Sequence, residues 1–263
     1  MSVLYSVVWL SYSLDGPNLV ASIKNFILTK KDSKQYILHV LDDGFDPIKD
    51  QSILDELQSL GVHYERTYYN RNGNLLGGEN LKNQIEKFLE ITESDKSDVI
   101  VKCDCDTIIL KKDWIEDLAK DPKATLAGTF KLYPFYVQGC SYAIKASALR
   151  GLLDDIKLYP GFANCFEDYE VGIRLMRNAN NSIEYAHRYK FLSNNGGFQI
   201  IDPPQLKNEH FSARVLSLGW NVKPVPADKK PEYKKSQTTV MDAIYEARKK
   251  ALMLQDTKKE DSK

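Results

Sequence analysis

Short apolar runs rich in β-branched and aromatic residues alternate with amphipathic stretches along the first hundred residues. Leu4-Tyr5-Ser6-Val7-Val8-Trp9-Leu10 has the length and composition of a buried strand. The loop Ser13-Leu14-Asp15-Gly16-Pro17 separates it from a helical stretch, Asn18 to Thr29. Tyr36-Ile37-Leu38-His39-Val40-Leu41 reads as a second strand and ends in Asp42-Asp43-Gly44. A helix over about 49–60, a strand at Val62–Thr67, a loop at Asn70–Asn74 and a helix at Leu81–Thr92 follow. The fourth strand, Ser97-Asp98-Val99-Ile100-Val101-Lys102-Cys103, runs straight into Asp104-Cys105-Asp106. This βαβαβαβ order predicts an α/β fold with a mostly parallel central sheet flanked by helices. Ligands of such sheets bind outside the carboxyl ends of the strands, so Asp42-Asp43 and Asp104/Asp106 are expected around one crevice.

The second half is less regular. Trp114–Lys120 reads as a short helix and Ala124–Leu132 as a strand. Gly139-Cys140-Ser141-Tyr142-Ala143-Ile144 reads as a strand entering a helix at Ser147–Asp155, and Glu167–Asn178 as another helix. A globular domain is expected over 1–225. Beyond it come a Lys- and Pro-rich linker at 226–238, an amphipathic C-terminal helix marked by Val240, Met241, Ile244, Tyr245, Ala251 and Leu252, and a disordered tail of eight mostly charged residues.

Composition narrows the class. The 263 residues are 43% hydrophobic and 27% charged, as in ordinary globular protein. Lys+Arg and Asp+Glu are both 36, so net charge gives no argument for nucleic acid or membrane as the principal partner. The basic stretches 229–235 and 248–250 read as solvated charge. There is no basic leader before a long apolar stretch, and no run of roughly 18 apolar residues, so neither a signal peptide nor a membrane span is expected. Cys103, Cys105, Cys140 and Cys165 contain no Cys-x-x-Cys pair and read as reduced thiols of a cytosolic protein.

Four constellations carry chemistry. Asp104 and Asp106, just past a buried strand, are costly to bury unpaired and are suited to hold a hard divalent cation, which in turn holds a diphosphate. Asp106 is expected to touch the metal, and Asp104 to reach the donor ribose or the metal through water. Asp42 and Asp43 are candidates to accept hydrogen bonds from the donor's base or ribose, although Asp and Gly also suit a plain turn there. Glu167-Asp168-Tyr169-Glu170 puts three acids at a helix start, more than the macrodipole needs. Asp168 is the candidate general base, with Glu167 orienting it or binding acceptor hydroxyls. His210, in a polar loop, can complete a Mn²⁺-type site, whereas His39, inside a strand, reads as core. Arg71, in the Asn70–Asn74 loop, is a charge partner for the donor phosphates. No Gly-Lys-Ser/Thr, Gly-x-Gly-x-x-Gly or Gly-x-Ser-x-Gly motif is present in the matching context, which argues against P-loop, dinucleotide-oxidoreductase and hydrolase-elbow chemistry.

Residues 4–225 resemble the GT-A class of glycosyltransferases. The first strand and helix, Asp42-Asp43-Gly44 and the run into Asp104-Cys105-Asp106 resemble the nucleotide-binding half of the family-two type. Gly139-Cys140-Ser141-Tyr142-Ala143-Ile144 and Glu167-Asp168-Tyr169-Glu170-Val171-Gly172 are similar to the fringe and β1,3-galactosyltransferase branch. The resemblance implies a nucleotide-diphosphate donor, a UDP-sugar first, Mn²⁺ or Mg²⁺ on Asp106 and His210, and an inverting transfer with Asp168 as base. It leaves the acceptor open among a glycan, a lipid-linked sugar, a protein and modified DNA. Cys105 stands where these relatives carry a middle acid, Tyr169 replaces a Val, and no membrane anchor or luminal disulfide is evident. These departures point to a soluble enzyme of a bacterial or viral host cytoplasm. A sugar-phosphate nucleotidyltransferase would share sheet and metal, but calls for a Gly-rich, basic loop after the first strand, and Ser11–Asn18 offers only Asp15-Gly16-Pro17. A non-catalytic nucleotide-sugar-binding protein would not need the acids at 167–170.

Overall fold

The structure is a computed structural model that describes residues 3–28, 35–69, 78–132, 135–160, 166–180, 191–193, 198–200, 214–218 and 225–260. Its elements run β1 (Tyr5–Ser11), α1 (Gly16–Leu28), β2 (Tyr36–Asp43), α2 (Gln51–Ser59), β3 (Val62–Thr67), α3 (Gly78–Asp95), β4 (Val99–Asp104) and β5 (Thr107–Ile109). There follow α4 (Asp113–Lys120), β6 (Leu126–Leu132), β7 (Phe135–Lys145), α5 (Ala146–Leu158), α6 (Glu167–Asn180), β8 (Phe191–Ser193), β9 (Phe198–Ile200), β10 (Val215–Ser217) and α7 (Lys230–Glu260).

The main sheet has the order β3-β2-β1-β4-β7-β6-β8. β3, β2, β1 and β4 are parallel, with Val7 of β1 opposite both Leu38 of β2 and Val101 of β4. β7 runs against β4 and β6, and β6 is parallel to β8, so the expected mostly parallel sheet carries one reversed strand. Chain order reverses direction across the sheet at β1, because β2 lies on one side of it and β4 on the other. That is the topological switch where open α/β sheets leave a crevice.

The pleat of β1 divides the core into two layers. Tyr5, Val7 and Trp9 face Leu19, Ile23 and Phe26 of α1 and Trp114, Ile115 and Leu118 of α4. Val8, Leu41 and Ile100 face Leu81, Ile85 and Phe88 of α3, Leu149 and Leu152 of α5, and Val171 and Leu175 of α6. The 81, 85, 88 and 171, 175 spacings are those of one helix face. A third cluster joins Ala21 of α1, Ile108, Leu216 and Leu218 to Met241 and Ile244 of α7. It sits on a small sheet, β5-β10-β9, that the sequence pattern does not announce.

The segment 226–238, expected to be a linker, is instead helical from Lys230 onward, and the helix continues to Glu260, into the tail expected to be disordered. Pro231 falls in the first turn, where its missing N–H removes no helical bond, and Lys, Glu and Gln are good helix formers. The Pro-Pro at 203–204 lies outside the described residues. Cys103, Cys105 and Cys140 are buried free thiols, as expected, and Cys165 lies outside the described residues. His39, expected in the core, is half-buried, with Nε2 2.7 Å from Asp95 Oδ2 and its ring stacked on His63. Among the described residues no helix is long and apolar enough to cross a membrane.

Candidate active site

β4 ends at the switch point and delivers Asp104 there. Strand alternation sends Cys103 into the α1/α4 layer and Lys102 and Asp104 to the opposite face. Cys105 continues into the same core as Cys103. Lys102 is 3% exposed, and a lysine that deep must be paired. Its ammonium donates to Asp104 Oδ1 at 2.5 Å and to the Gly139 carbonyl, and lies 3.8 Å from Glu167 Oε1. Burial alone would lower its pKa, but Asp104 and Glu167 outweigh burial and hold it above the ordinary lysine value.

Glu167 and Asp168 open α6 against β7. Glu167 is buried, accepts from the Tyr142 hydroxyl, and is 3.4 Å from Gln84 Nε2 of α3. Asp168 is half-buried, and its two oxygens accept the backbone N–H groups of Gly139 (2.9 Å) and Tyr169 (2.8 Å). Gly139 permits that approach, since a Cβ there would lie 3.1 Å from Asp168 Oδ2. Burial pushes the pKa of both carboxyls up, and Lys102 opposes it. Glu170, the third acid, is turned away into a buried pair with Arg174 (2.7 Å), which also holds Asp155 of α5 at 3.0 Å. Lys102 thus joins Asp104 to Glu167 through a single ammonium, with Asp168 alongside.

Asp106 lies on the turn between β4 and β5, half-buried. Its carbonyl accepts from Leu218 N, and Oδ2 faces Gln237 Nε2 of α7 at 3.4 Å. Burial raises its pKa, Lys234 of α7 pulls it back, and Asp104 adds to the rise. Neither Lys102 nor the α7 residues were among the expected site residues. Their signals are nonetheless in the sequence. Lys102 is a charge inside an apolar run, in phase with Asp104. Lys234, Gln237, Met241, Ile244 and Arg248 follow one another at spacings of three and four, a single helical stripe that begins and ends in polar residues.

Asp42 and Asp43 part company. Asp42 is fully buried, taking Ser11 Oγ (2.7 Å) on Oδ1 and Ile48 N (2.8 Å) and the Tyr64 hydroxyl on Oδ2. These three donors commit it to holding β1, β2 and β3 together. Asp42 therefore has a structural role within the sheet, whatever it does towards a ligand. Asp43 is half-buried, with one oxygen accepting from Phe45 N at 3.0 Å. Arg71 and His210 lie outside the described residues. Among the described residues no three His, Cys, Asp or Glu side chains converge as a metal cage.

No protein-family model matches the chain, and no curated protein matches it in sequence. Solved structures do match in fold. The galactosyltransferase LgtC in complex with donor and acceptor sugar analogues superposes with a TM-score of 0.54 at 11% identity, over 90% of this chain and 95% of that one. The apo bifunctional glycosyltransferase WbbM superposes with a TM-score of 0.55 at 10% identity, over 90% of this chain and 50% of that one, so this chain spans half of WbbM. The chain has the GT-A fold of these glycosyltransferases.

Proposed function

We propose that the protein is a metal-dependent glycosyltransferase that moves a sugar from a nucleotide-diphosphate donor, a UDP-sugar first, to an acceptor hydroxyl. The observation that carries this reading is the placement of Asp104 and Asp106 at the β1/β4 switch point, joined through Lys102 to the acids that open α6. A switch-point crevice takes the nucleotide, and the α6 start forms the side from which a second substrate enters.

The donor set fits a hard divalent cation, Mn²⁺ or Mg²⁺. Two carboxylates stand at the β4–β5 turn, while the thiol between them points into the core. Asp106 would touch the ion, and Asp104, one oxygen of which serves Lys102, would touch it through its other oxygen or reach the ribose. Bound there, the ion supplies charge neutralisation to the diphosphate leaving group. Asp43 rather than Asp42 is left to accept hydrogen bonds from the nucleoside. Asp168 retains two of its roughly four lone-pair sites after its backbone bonds, enough to take the acceptor's proton. Its raised pKa brings it nearer to what a general base needs. An attack from the face opposite the diphosphate gives inversion. LgtC, which shares the fold, was captured with donor and acceptor sugar analogues, and a two-substrate crevice of that kind supports the reading.

The test is hydrolysis of a panel of nucleotide-sugars by the wild type, Asp106→Asn and Asp168→Asn, with Mn²⁺ and with EDTA. Release of one nucleoside diphosphate with Mn²⁺, abolished by EDTA and by Asp106→Asn, is the expected result. Asp168→Asn should lower transfer or hydrolysis by about 10²–10⁴ while sparing donor binding. A wild type that releases no nucleoside diphosphate, and binds no donor by calorimetry, sinks the proposal.

A further inference from the structure

The C-terminal helix reaches the crevice through a polar seam. Asn18 and Gln237 are both fully buried and bonded to each other at 2.8 Å, Thr238 donates to Asn18, and Gln237 also donates to the Leu218 carbonyl at 3.0 Å. Farther along, Arg248 donates to the carbonyl and side chain of Asn25. This seam fixes where Lys234 stands. Its ammonium is 2.8 Å from Asp15 Oδ1, 5.9 Å from the centre of the Tyr12 ring, and within electrostatic reach of Asp106. Tyr12 and Asp15 follow the end of β1, and Asp106 follows the end of β4. Lys234 therefore stands over the gap between the two strands that define the switch point.

The pair is open on one side only. The Asp15 side chain is 6% exposed and that of Lys234 is 19% exposed, so the lysine is the more accessible member of the pair. Lys102, the buried ammonium of the site, is already engaged by Asp104, Gly139 and Glu167. A diphosphate that enters beside Asp104 and Asp106 meets two like charges, and a further ammonium there would offset part of that repulsion.

We propose that Lys234 is a donor-binding residue that contacts the diphosphate, and that α7 is a wall of the donor site rather than an appendage. Asp15 and Tyr12 hold the ammonium in place before the donor arrives. This inference rests on the transferase reading of the same crevice.

The experiment uses the full chain and measures affinities by calorimetry for UDP, GDP, ADP and TDP and for the corresponding nucleosides. Wild-type binding of a diphosphate comes first; its absence for all four removes the transferase reading and this inference together. Where the wild type binds, Lys234→Met should weaken the diphosphate by about tenfold or more, the worth of one charge-assisted hydrogen bond, and leave the nucleoside within about twofold. Lys234→Arg should stay within about threefold of wild type, because it keeps the charge. Asp15→Asn keeps the ammonium and loses only the group that holds it in place, so it should weaken the diphosphate by less than Lys234→Met. Unchanged diphosphate affinity in Lys234→Met overturns the inference while leaving the transferase reading intact. So does an equal loss in Lys234→Met and Asp15→Asn, which would make the lysine a strut for the helix.

Discussion

At the scale of single residues, two buried charges govern the site. Lys102 neutralises Asp104 and stands beside Glu167 where water does not reach. Removing the lysine leaves Glu167 as an uncompensated buried charge, a loss of about 3–5 kcal/mol. Lys102→Met should therefore be destabilised by about that much at pH 7 in urea titrations. The carboxyls left behind can take up protons instead, so the variant should regain part of the loss between pH 7 and pH 5. A loss independent of pH would mean that the lysine contributes packing only. Asp15 gives a second signature. Burial outweighs Lys234 and pushes its carboxyl up to about 6, against about 3.9 in an unfolded chain. The folded state then holds the extra proton between those values, so this group's share of stability is present below pH 4 and falls by about 3 kcal/mol as pH rises to 6. Asp15→Asn should flatten that slope in denaturation curves taken across the same window; an unaltered slope would place the titration elsewhere.

At the scale of elements, α7 owes its placement to the stripe Lys234, Gln237, Met241, Ile244 and Arg248. Met241 is fully buried between α1 and the small sheet, so Met241→Ala should cost about 2–5 kcal/mol by calorimetric or chemical unfolding. A cost near zero would mean that the helix is held by its polar seam alone. The apolar half of this stripe was legible in the sequence, since Met241 and Ile244 mark an amphipathic helix. Its polar half was not, because Lys234 and Gln237 read as solvated when no partner is in view, and their partners Asp15, Asn18 and Asp106 lie more than a hundred residues away. The same distinction runs through the sheet. β1, β2 and β4 follow from local apolar runs, whereas β9 and β10 are three residues each and exist only through pairing, β10 with β5 and β9 with β10. Asp42 shows the opposite failure. An acid at a strand end reads as a ligand, and only the fold shows that Ser11, Ile48 and Tyr64, from three other segments, donate to it. The position of Asp104 and Asp106 at a strand end was legible because the strand that carries them is local, continuous and apolar.

At the scale of the whole molecule, the crevice draws its charged groups from five separate segments. β4 supplies Asp104, the turn after it Asp106, the β1–α1 loop Asp15, α6 Asp168, and α7 Lys234 and Gln237. The helices that carry these groups anchor in three separate apolar clusters, so a ligand that bridges the groups ties the clusters together. Binding to the folded state alone adds stability of RT ln(1 + [L]/Kd), about 2.7 kcal/mol at a hundredfold excess over Kd. For a chain of this size that corresponds to a rise in Tm of about 5–10 °C. The nucleoside diphosphate that the wild type binds in calorimetry, added with Mn²⁺, should produce this shift in a thermal scan. Asp106→Asn should lose the part of the shift that depends on Mn²⁺. Lys234→Met should lose a part that persists with EDTA, because the ammonium acts on the phosphates without the ion. If both variants lose only the Mn²⁺-dependent part, the helix and the turn serve one metal site, and Lys234 acts through Asp106 rather than on the donor.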